Sequence, residues 1–244
     1  MKETILVTAN RDLAAELFEE EAQTANMIHL PLEAYSENTD SNIAARVIEK
    51  SASFEFVLHG NLLNTRFFIT WMIREKMLAA FQNLVHLAVD EPTAAFLESE
   101  GIPAILPKKE GKPIDVLEFL LRISKEGASL YPSREGETEE MPALLKELDL
   151  PVLEFIVCRE RTISESELQA YRERVSKESF SYILIHNRSS LTRLRTAFPG
   201  LDLKKFSLLS GSPGVTKRLI EEGLEPVREA SGTWASIRKL ITDL

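Results

Sequence analysis

The stretch Phe54-Glu55-Phe56-Val57-Leu58-His59-Gly60-Asn61-Leu62-Leu63 reads like a second one, Phe180-Ser181-Tyr182-Ile183-Leu184-Ile185-His186-Asn187-Arg188-Ser189. In each, an apolar run of strand character breaks at a His followed by small polar residues, and a helical pattern begins. The likeness continues on both sides. Leu87–Ile102 matches Leu208–Leu224, with a closing glycine in each, Gly101 and Gly223. Upstream, Ile5–Arg11 echoes Ser129–Arg134. A repeat of this length is a small domain duplicated, not a solenoid unit. Two like lobes imply a cleft, and clefts between domains commonly bind small molecules.

Composition agrees. The 244 residues have room for two domains of about 120 each. No apolar run is long enough to span a membrane, and residues 1–10 read as a strand, not a leader. With one cysteine, Cys158, there is no internal disulfide, and a reducing, cytoplasmic setting is expected. Four His (29, 59, 86, 186) at scattered spacings give no metal-site pattern, and no cofactor is expected. A net charge of -9 disfavours nucleic acid, which needs a basic surface to neutralise phosphates. A phosphate-cradling glycine loop, a Gly-flanked nucleophilic Ser and paired carboxylates at a strand end are all missing. Kinase, hydrolase and dehydrogenase chemistry therefore lack support.

Strand patterns fall at Ile5–Thr8, Met27–Pro31, Phe54–Leu58, Leu84–Val89 and Ala104–Leu106, then at Ser129–Pro132, Val152–Val157, Tyr182–Ile185, Phe206–Ser210 and Pro226–Val227. Helical patterns lie between them. They are Asp12 to about Thr24 (capped by Asp12), a helix opening at Asp40, Leu62–Phe81, Thr93–Ser99 and Ile114–Ser124, followed by Glu139–Leu148, Ser164–Val175, Ser189–Phe198, Gly214–Glu222 and Trp234–Thr242. Strands alternating with helices predict an α/β fold of two similar, doubly wound, parallel-sheet lobes. The extended segments Leu30–Tyr35 and Leu153–Arg159 read as linkers.

Ligands of open parallel sheets bind beyond the carboxyl ends of the strands. The candidate ligand-binding residues there are Arg11, Gly60, Asn61, Thr93, Ser133, Arg134, Asn187, Arg188, Ser189, Ser190, Gly211, Ser212 and Gly214. Several of these groups lead into a helix, whose free N–H groups suit an anion. Arg188, Arg193, Arg195, Lys204 and Lys205 against Asp202 alone make this stretch locally basic, which suits a polycarboxylate or phosphate. Solvated helix faces are the plainer account of these charges. His59 and His186, taken as equivalent, are candidate proton donors, or else turn-packing residues. Cys158 follows an apolar strand and reads as a buried structural thiol.

In this order of elements the chain resembles the uroporphyrinogen-III synthase family over essentially its whole length. The resemblance is carried by the opening Ile5-Leu6-Val7-Thr8, the Leu30-Pro31-Leu32 connector and the segments Val57–Phe68 and Ile183–Leu194. Leu130–Arg134 and the helix starts at Asp90–Thr93 and Gly211–Thr216 add to it. It implies one discontinuous lobe of residues 1–33 plus 160–244 and another of 36–157, joined by a two-stranded hinge at about 30–36 and 153–160. It also implies a cofactor-free lyase. Linear hydroxymethylbilane, handed over by hydroxymethylbilane synthase, would lose its hydroxyl and close with inversion of the last ring through a spiro intermediate. The product serves haem, sirohaem or cobalamin synthesis. A monomer is expected, since one chain supplies both lobes. Cys158 stands where the family often has a linker Tyr, and Gly214 or Val215 where it has a Thr. A non-catalytic binder of a tetrapyrrole or other anion is the rival, and a periplasmic-type solute binder a weaker third. If the histidines act in turnover, His59→Ala and His186→Ala are expected to lower it while leaving the circular dichroism of the folded protein unchanged.

Overall fold

The structure, a computed structural model, describes residues 3–18, 25–108, 112–123, 127–136 and 140–244. The chain divides into two compact units, Met1–Ala34 with Arg161–Leu244, and Tyr35–Glu160. The first unit contains β1 (Thr4–Val7), β2 (Asn26–His29), β9 (Tyr182–Ile185), β10 (Ser207–Ser210) and β11 (Pro226–Glu229). Its helices are α7 (Glu165–Lys177), α8 (Arg188–Ala197), α9 (Pro213–Glu221) and α10 (Trp234–Thr242). The second unit contains β3 (Ala34–Glu37), β4 (Phe54–His59), β5 (Val85–Ala88), β6 (Ala104–Ile105), β7 (Ala128–Arg134) and β8 (Val152–Arg161). Its helices are α1 (Ser41–Glu49), α2 (Leu62–Arg74), α3 (Leu78–Phe81), α4 (Glu91–Ser99), α5 (Pro113–Ile123) and α6 (Glu140–Glu147).

The sheets run β11-β10-β9-β1-β2 and β6-β5-β4-β7-β8-β3. Every strand pair of the first sheet is parallel, and so is the run from β6 to β8 in the second. Placed side by side, β9, β10 and β11 correspond to β4, β5 and β6, while β1 and β2 correspond to β7 and β8. The opening strands of the chain therefore occupy the position that β7 and β8 hold in the other unit. This is why Ile5–Arg11 echoes Ser129–Arg134. The two segments expected as hinge strands do stand side by side, β3 next to β8, at one end of the second sheet.

Alternation along the strands explains the burial on both faces. Leu6, Ile183, Ile185 and Leu208 pack with Leu191 and Leu194 of α8 and Val215 and Leu219 of α9. Their neighbours Ile5, Val7, Leu184 and Leu209 face the other way, onto Ile237, Leu240 and Ile241 of α10. Each such side chain, almost without exposed surface, contributes about 1.5–3 kcal/mol. In the second unit Phe56, Leu58 and Leu87 pack on α5 and α6. Phe68, Trp71, Phe81 and Phe155 form a separate aromatic cluster, with Trp71 and Phe155 centroids 4.7 Å apart.

Two helical expectations are corrected. The pattern over Leu62–Phe81 is two helices, because Lys76 takes a left-handed conformation (φ 58). The N–H of Met77 then reaches Met72 O (2.8 Å) and that of Lys76 reaches Ile73 O (3.2 Å), closing α2 as a glycine would. Asp12 caps no helix. Asn10 accepts from the N–H groups of Asp12 and Leu13 (2.9 and 3.3 Å), and a short 3-10 turn follows at Ala15–Leu17. Residues 19–24, the rest of that expected helix, lie outside the described residues, as do Ser124, Glu139 and parts of the charged loops at 108–112 and 134–140.

Gly211 is required by close packing. A Cβ there would overlap the main-chain oxygen of His186 and approach its Cα to 2.8 Å. Gly211→Ala is expected to lower the stability of the first unit by about 1–3 kcal/mol, read as a shift in urea midpoint.

Candidate functional site

In each unit the strands end on one edge, and the chain passes there through a capping side chain into a helix. Asn61 caps α2, Asp90 caps α4, Asn187 caps α8 and Ser212 caps α9, each accepting from a main-chain N–H of the first turn. The backbone pairing then fixes which residues correspond. The N–H of Val89 donates to His59 O (3.0 Å), as that of Gly211 donates to Ile185 O (2.9 Å). His59 is therefore the counterpart of Ile185, and His186 of Gly60. The two histidines are not equivalent, contrary to expectation. A one-residue offset turns a side chain to the opposite face.

His59 is 1% exposed and part of a hydrogen-bonded chain. Its Nδ1 lies 3.1 Å from Thr65 Oγ1, its Nε2 lies 2.9 Å from His86 Nδ1, and His86 Nε2 lies 2.9 Å from Phe81 O. A carbonyl only accepts, so His86 carries its proton on Nε2 and accepts at Nδ1. His59 then carries its proton on Nε2, and its Nδ1 shares the single Thr65 O–H with the Asn61 main-chain oxygen, 2.8 Å from Thr65 Oγ1. Both rings are neutral in this arrangement. Burial holds the pKa of His86 below the ordinary 6.5, against the pull of the Phe81 carbonyl. Burial and then the neighbouring His86 hold that of His59 well below it. The enclosed ring is an interior strut, which corrects its reading as a proton donor.

His186 sits in a second cluster, built around an acid that the sequence did not single out. Glu33, 2% exposed, follows the Leu30-Pro31-Leu32 connector. Its Oε1 accepts from Arg193 Nη1 (2.6 Å), His186 Nε2 (3.0 Å) and Asn187 Nδ2 (3.1 Å). Its Oε2 is buried with no partner among the described residues. Burial alone would raise its pKa. The His186 hydrogen bond and charge, then Arg193 and Asn187, outweigh burial and lower it to about 2. Taking one partner from such a buried pair costs about 3–5 kcal/mol, so the cluster pins residue 33 to α8. Ser190 Oγ lies 2.9 Å from His186 Nδ1, and the imidazole stacks on Trp234 at 5.5 Å. Both ring nitrogens are engaged, and the side chain is 4% exposed. The geometry makes His186 a brace for the Asn187–Ser190 turn.

The remaining candidates divide sharply. Arg188, Ser189 and Gly214 line one cleft of about 440 Å³ between α8 and α9, together with Thr192, Lys217, Arg218 and Glu221. Thr93, Ser133 and Ser190 are enclosed, at 0%, 0% and 1% exposure, against the expectation that they face a ligand. Thr93 Oγ1 and Ser133 Oγ have no partner among the described residues. Arg134 donates to the Tyr35 hydroxyl (2.9 Å), and Arg11 lies 5.4 Å over the Phe18 ring. Gly60 and Asn61 form the turn into α2, and Gly211 and Ser212 the turn into α9. Cys158 is fully buried, with Sγ 3.7 Å from Asn64 Oδ1, as a structural thiol should be. Among the described residues no group of three His, Cys, Asp or Glu could hold a metal ion, and no helix is long and apolar enough to cross a membrane. Glu33, Tyr35, Lys217 and Arg218 were missed. No local pattern marks an acid as buried, and Lys217 and Arg218 read as an ordinary polar helix face.

Comparison with known proteins accounts for this frame. A family model described as uroporphyrinogen-III synthase HemD matches residues 12–234, and the chain belongs to that family. The crystal structure of uroporphyrinogen-III synthetase from Helicobacter pylori 26695 superposes with a TM-score of 0.63 at 13% identity, over 100% of this chain and 99% of that one. A mutant uroporphyrinogen III synthase from the extremely thermophilic bacterium Thermus thermophilus gives 0.53 at 13% identity, over 99% of each chain. At such identity the likeness is one of fold. No curated protein sequence matches the chain.

The histidine chain generates a pH prediction. The folded pKa values lie below 6.5, so the unfolded chain takes up protons that the fold refuses as pH falls below 6.5. Stability is complete above that pH and is lost below it, by about 1.4 kcal/mol per unit for each group. The urea midpoint of the wild type should fall between pH 7 and 5, and more steeply than that of His86→Gln. Equal slopes would place the acid loss elsewhere.

Proposed function

We propose that the protein is a uroporphyrinogen-III synthase, closing hydroxymethylbilane to uroporphyrinogen III with inversion of the last ring and release of water. The observation that supports this most is the cationic cleft beside the carboxyl edge of the first sheet, in a chain of this family. The substrate is a flexible chain of pyrroles bearing acid groups. Its C–O bond breaks, the hydroxyl leaves with one proton as water, and the electron pair of the pyrrole system fills the gap. The freed methylene is attacked by the substituted carbon of the last ring, giving the spiro intermediate. The bond from that carbon to its former methylene bridge then breaks and re-forms at the ring's free carbon, which gives up its proton. The reaction is intramolecular, so most of the catalytic effect comes from holding the two ends at bonding distance. Fixed cations and helix N-terminal N–H groups hold carboxylates without reorganising. Here Arg188, Ser189, Ser212 and Gly214 take that part, and His186, through Glu33 and Ser190, keeps their turn in place.

The substrate would arrive from hydroxymethylbilane synthase, and the protein would act in the cytoplasm as a monomer without a cofactor. One observation favours a binder instead. Cys158, in the place of the family's linker Tyr, is enclosed and so presents no proton to a leaving hydroxyl.

A single assay decides. Hydroxymethylbilane generated by its synthase is given to the protein, and the uroporphyrins are separated after oxidation. The type III isomer should predominate. Type I alone, the product of spontaneous closure, would sink the synthase reading.

A further inference from the structure

We infer that the groove between α8 and α9 is a carboxylate subsite, in which Arg188 and Lys217 grip one acid side chain of the linear tetrapyrrole. The assignment rests on the synthase reading for its ligand, but its geometry stands apart from it. The groove holds about 440 Å³, room for a carboxyalkyl arm. Its cations differ from the others nearby. Arg193 is committed to Glu33, Arg195 to Glu222, and Arg218 to Glu222 at 2.7 Å. Arg188 and Lys217 have no hydrogen bond or ion pair among the described residues. Of the three cations that line the groove, Arg188 and Lys217 are thus the two left unpaired among the described residues, alongside the exposed Ser189 hydroxyl.

Local electrostatics leave this spot positive. Helices favour acids in the first turn, where the macrodipole is positive. In this chain α4 and α7 follow that rule with Glu91, Glu165 and Glu167. α8 and α9, like α1, α2, α3 and α10, have no acid in the first turn, and α8 alone begins with a cation, Arg188. A bound anion would relieve both the dipoles and the crowding of like charges. Glu221 lines the groove farther along α9 and repels a carboxylate there, so the arm sits at the end near Arg188.

Gly214 is the second, independent sign. Glycine inside a helix costs about 0.5–1 kcal/mol relative to alanine. At this position a Cβ would come within 3.1 Å of Arg188 Nη2. Lacking a side chain there lets the guanidinium lie against the opening turn of α9, pointed into the groove. Alanine would displace an exposed, flexible Arg188 at little cost to the fold, so Gly214→Ala separates placement of the charge from its presence.

The test uses Arg188→Gln, Lys217→Gln, the double variant and Gly214→Ala. KM, kcat and isomer ratio are measured with hydroxymethylbilane, and affinity by fluorescence titration with uroporphyrin III. For exposed, solvated contacts each single variant should raise KM and the uroporphyrin Kd by about three- to fivefold, and the double by about tenfold or more. Kcat should fall less than kcat/KM does, since the grip on one acid arm is only part of what positions the reacting ends. Added sodium chloride should weaken the wild type and leave the double variant nearly unchanged. Gly214→Ala should raise KM with an unfolding midpoint at least as high as the wild type's. Normal turnover with unchanged KM and Kd in the double variant overturns the subsite and leaves the synthase reading intact. A wild type that yields only type I, yet binds uroporphyrin through Arg188 and Lys217, overturns the synthase reading and keeps the subsite.

Discussion

A strand that runs parallel to its neighbour cannot return by a tight turn. The chain must cross back over a face of the sheet, and it does so as a helix. That constraint governs both units. It buries the sheet on both faces, which is why Leu6 and Ile5 are equally hidden against different helices. It also brings the ends of the parallel strands to one edge, where α2, α4, α8 and α9 start, so that edge is crowded with capping side chains and helix N-termini. Whatever anion chemistry the protein performs has its donors supplied there by the topology.

The two copies of this frame have filled their edges differently. Asn61 and Asn187 cap corresponding helices in the same way. Past the caps the chemistry diverges. In the second unit a neutral chain of Thr65, His59 and His86 is sealed inside. In the first an ion pair of Glu33 and Arg193, with His186 hydrogen-bonded to the same carboxylate, ties the segment after β2 to α8. Both are polar networks held in low dielectric, where a satisfied network rigidifies and a broken one is costly. One is sensitive to mild acid because its rings must stay neutral. The other is not, because its carboxylate gives up its charge only near pH 2.

Net charge and local charge point in opposite directions, and the local one matters for a ligand. The chain carries -9 overall, yet two cations of the groove between α8 and α9, Arg188 and Lys217, have no ion pair among the described residues. A global surplus of acids repels extended polyanions. Only a small anion able to enter the groove meets the exposed guanidinium and ammonium directly.

The fold was legible because periodicity and punctuation are local. The apolar runs Phe54–Leu58 and Tyr182–Ile185 and the closing Gly101 and Gly223 each declare themselves within a few positions, whereas the one cap read from the sequence, Asp12, is not one. The duplication was legible for the same reason, and it is what separated two sheets from one. The site was only half legible. Arg188, Ser189 and Gly214 lie on adjacent helix starts and do share a cleft. Glu33 gave no sign, since whether a carboxylate is buried depends on residues 153 and 160 positions away. His59 and His186 looked alike in sequence, yet a single-residue offset against the strand ends sends one into the interior and the other onto Glu33. Sequence by itself determined the repeated strands and helices, because these follow from short-range sterics and hydrogen bonding. Tertiary structure alone decided which polar groups meet, because burial and charge pairing depend on distance in space and on strand register.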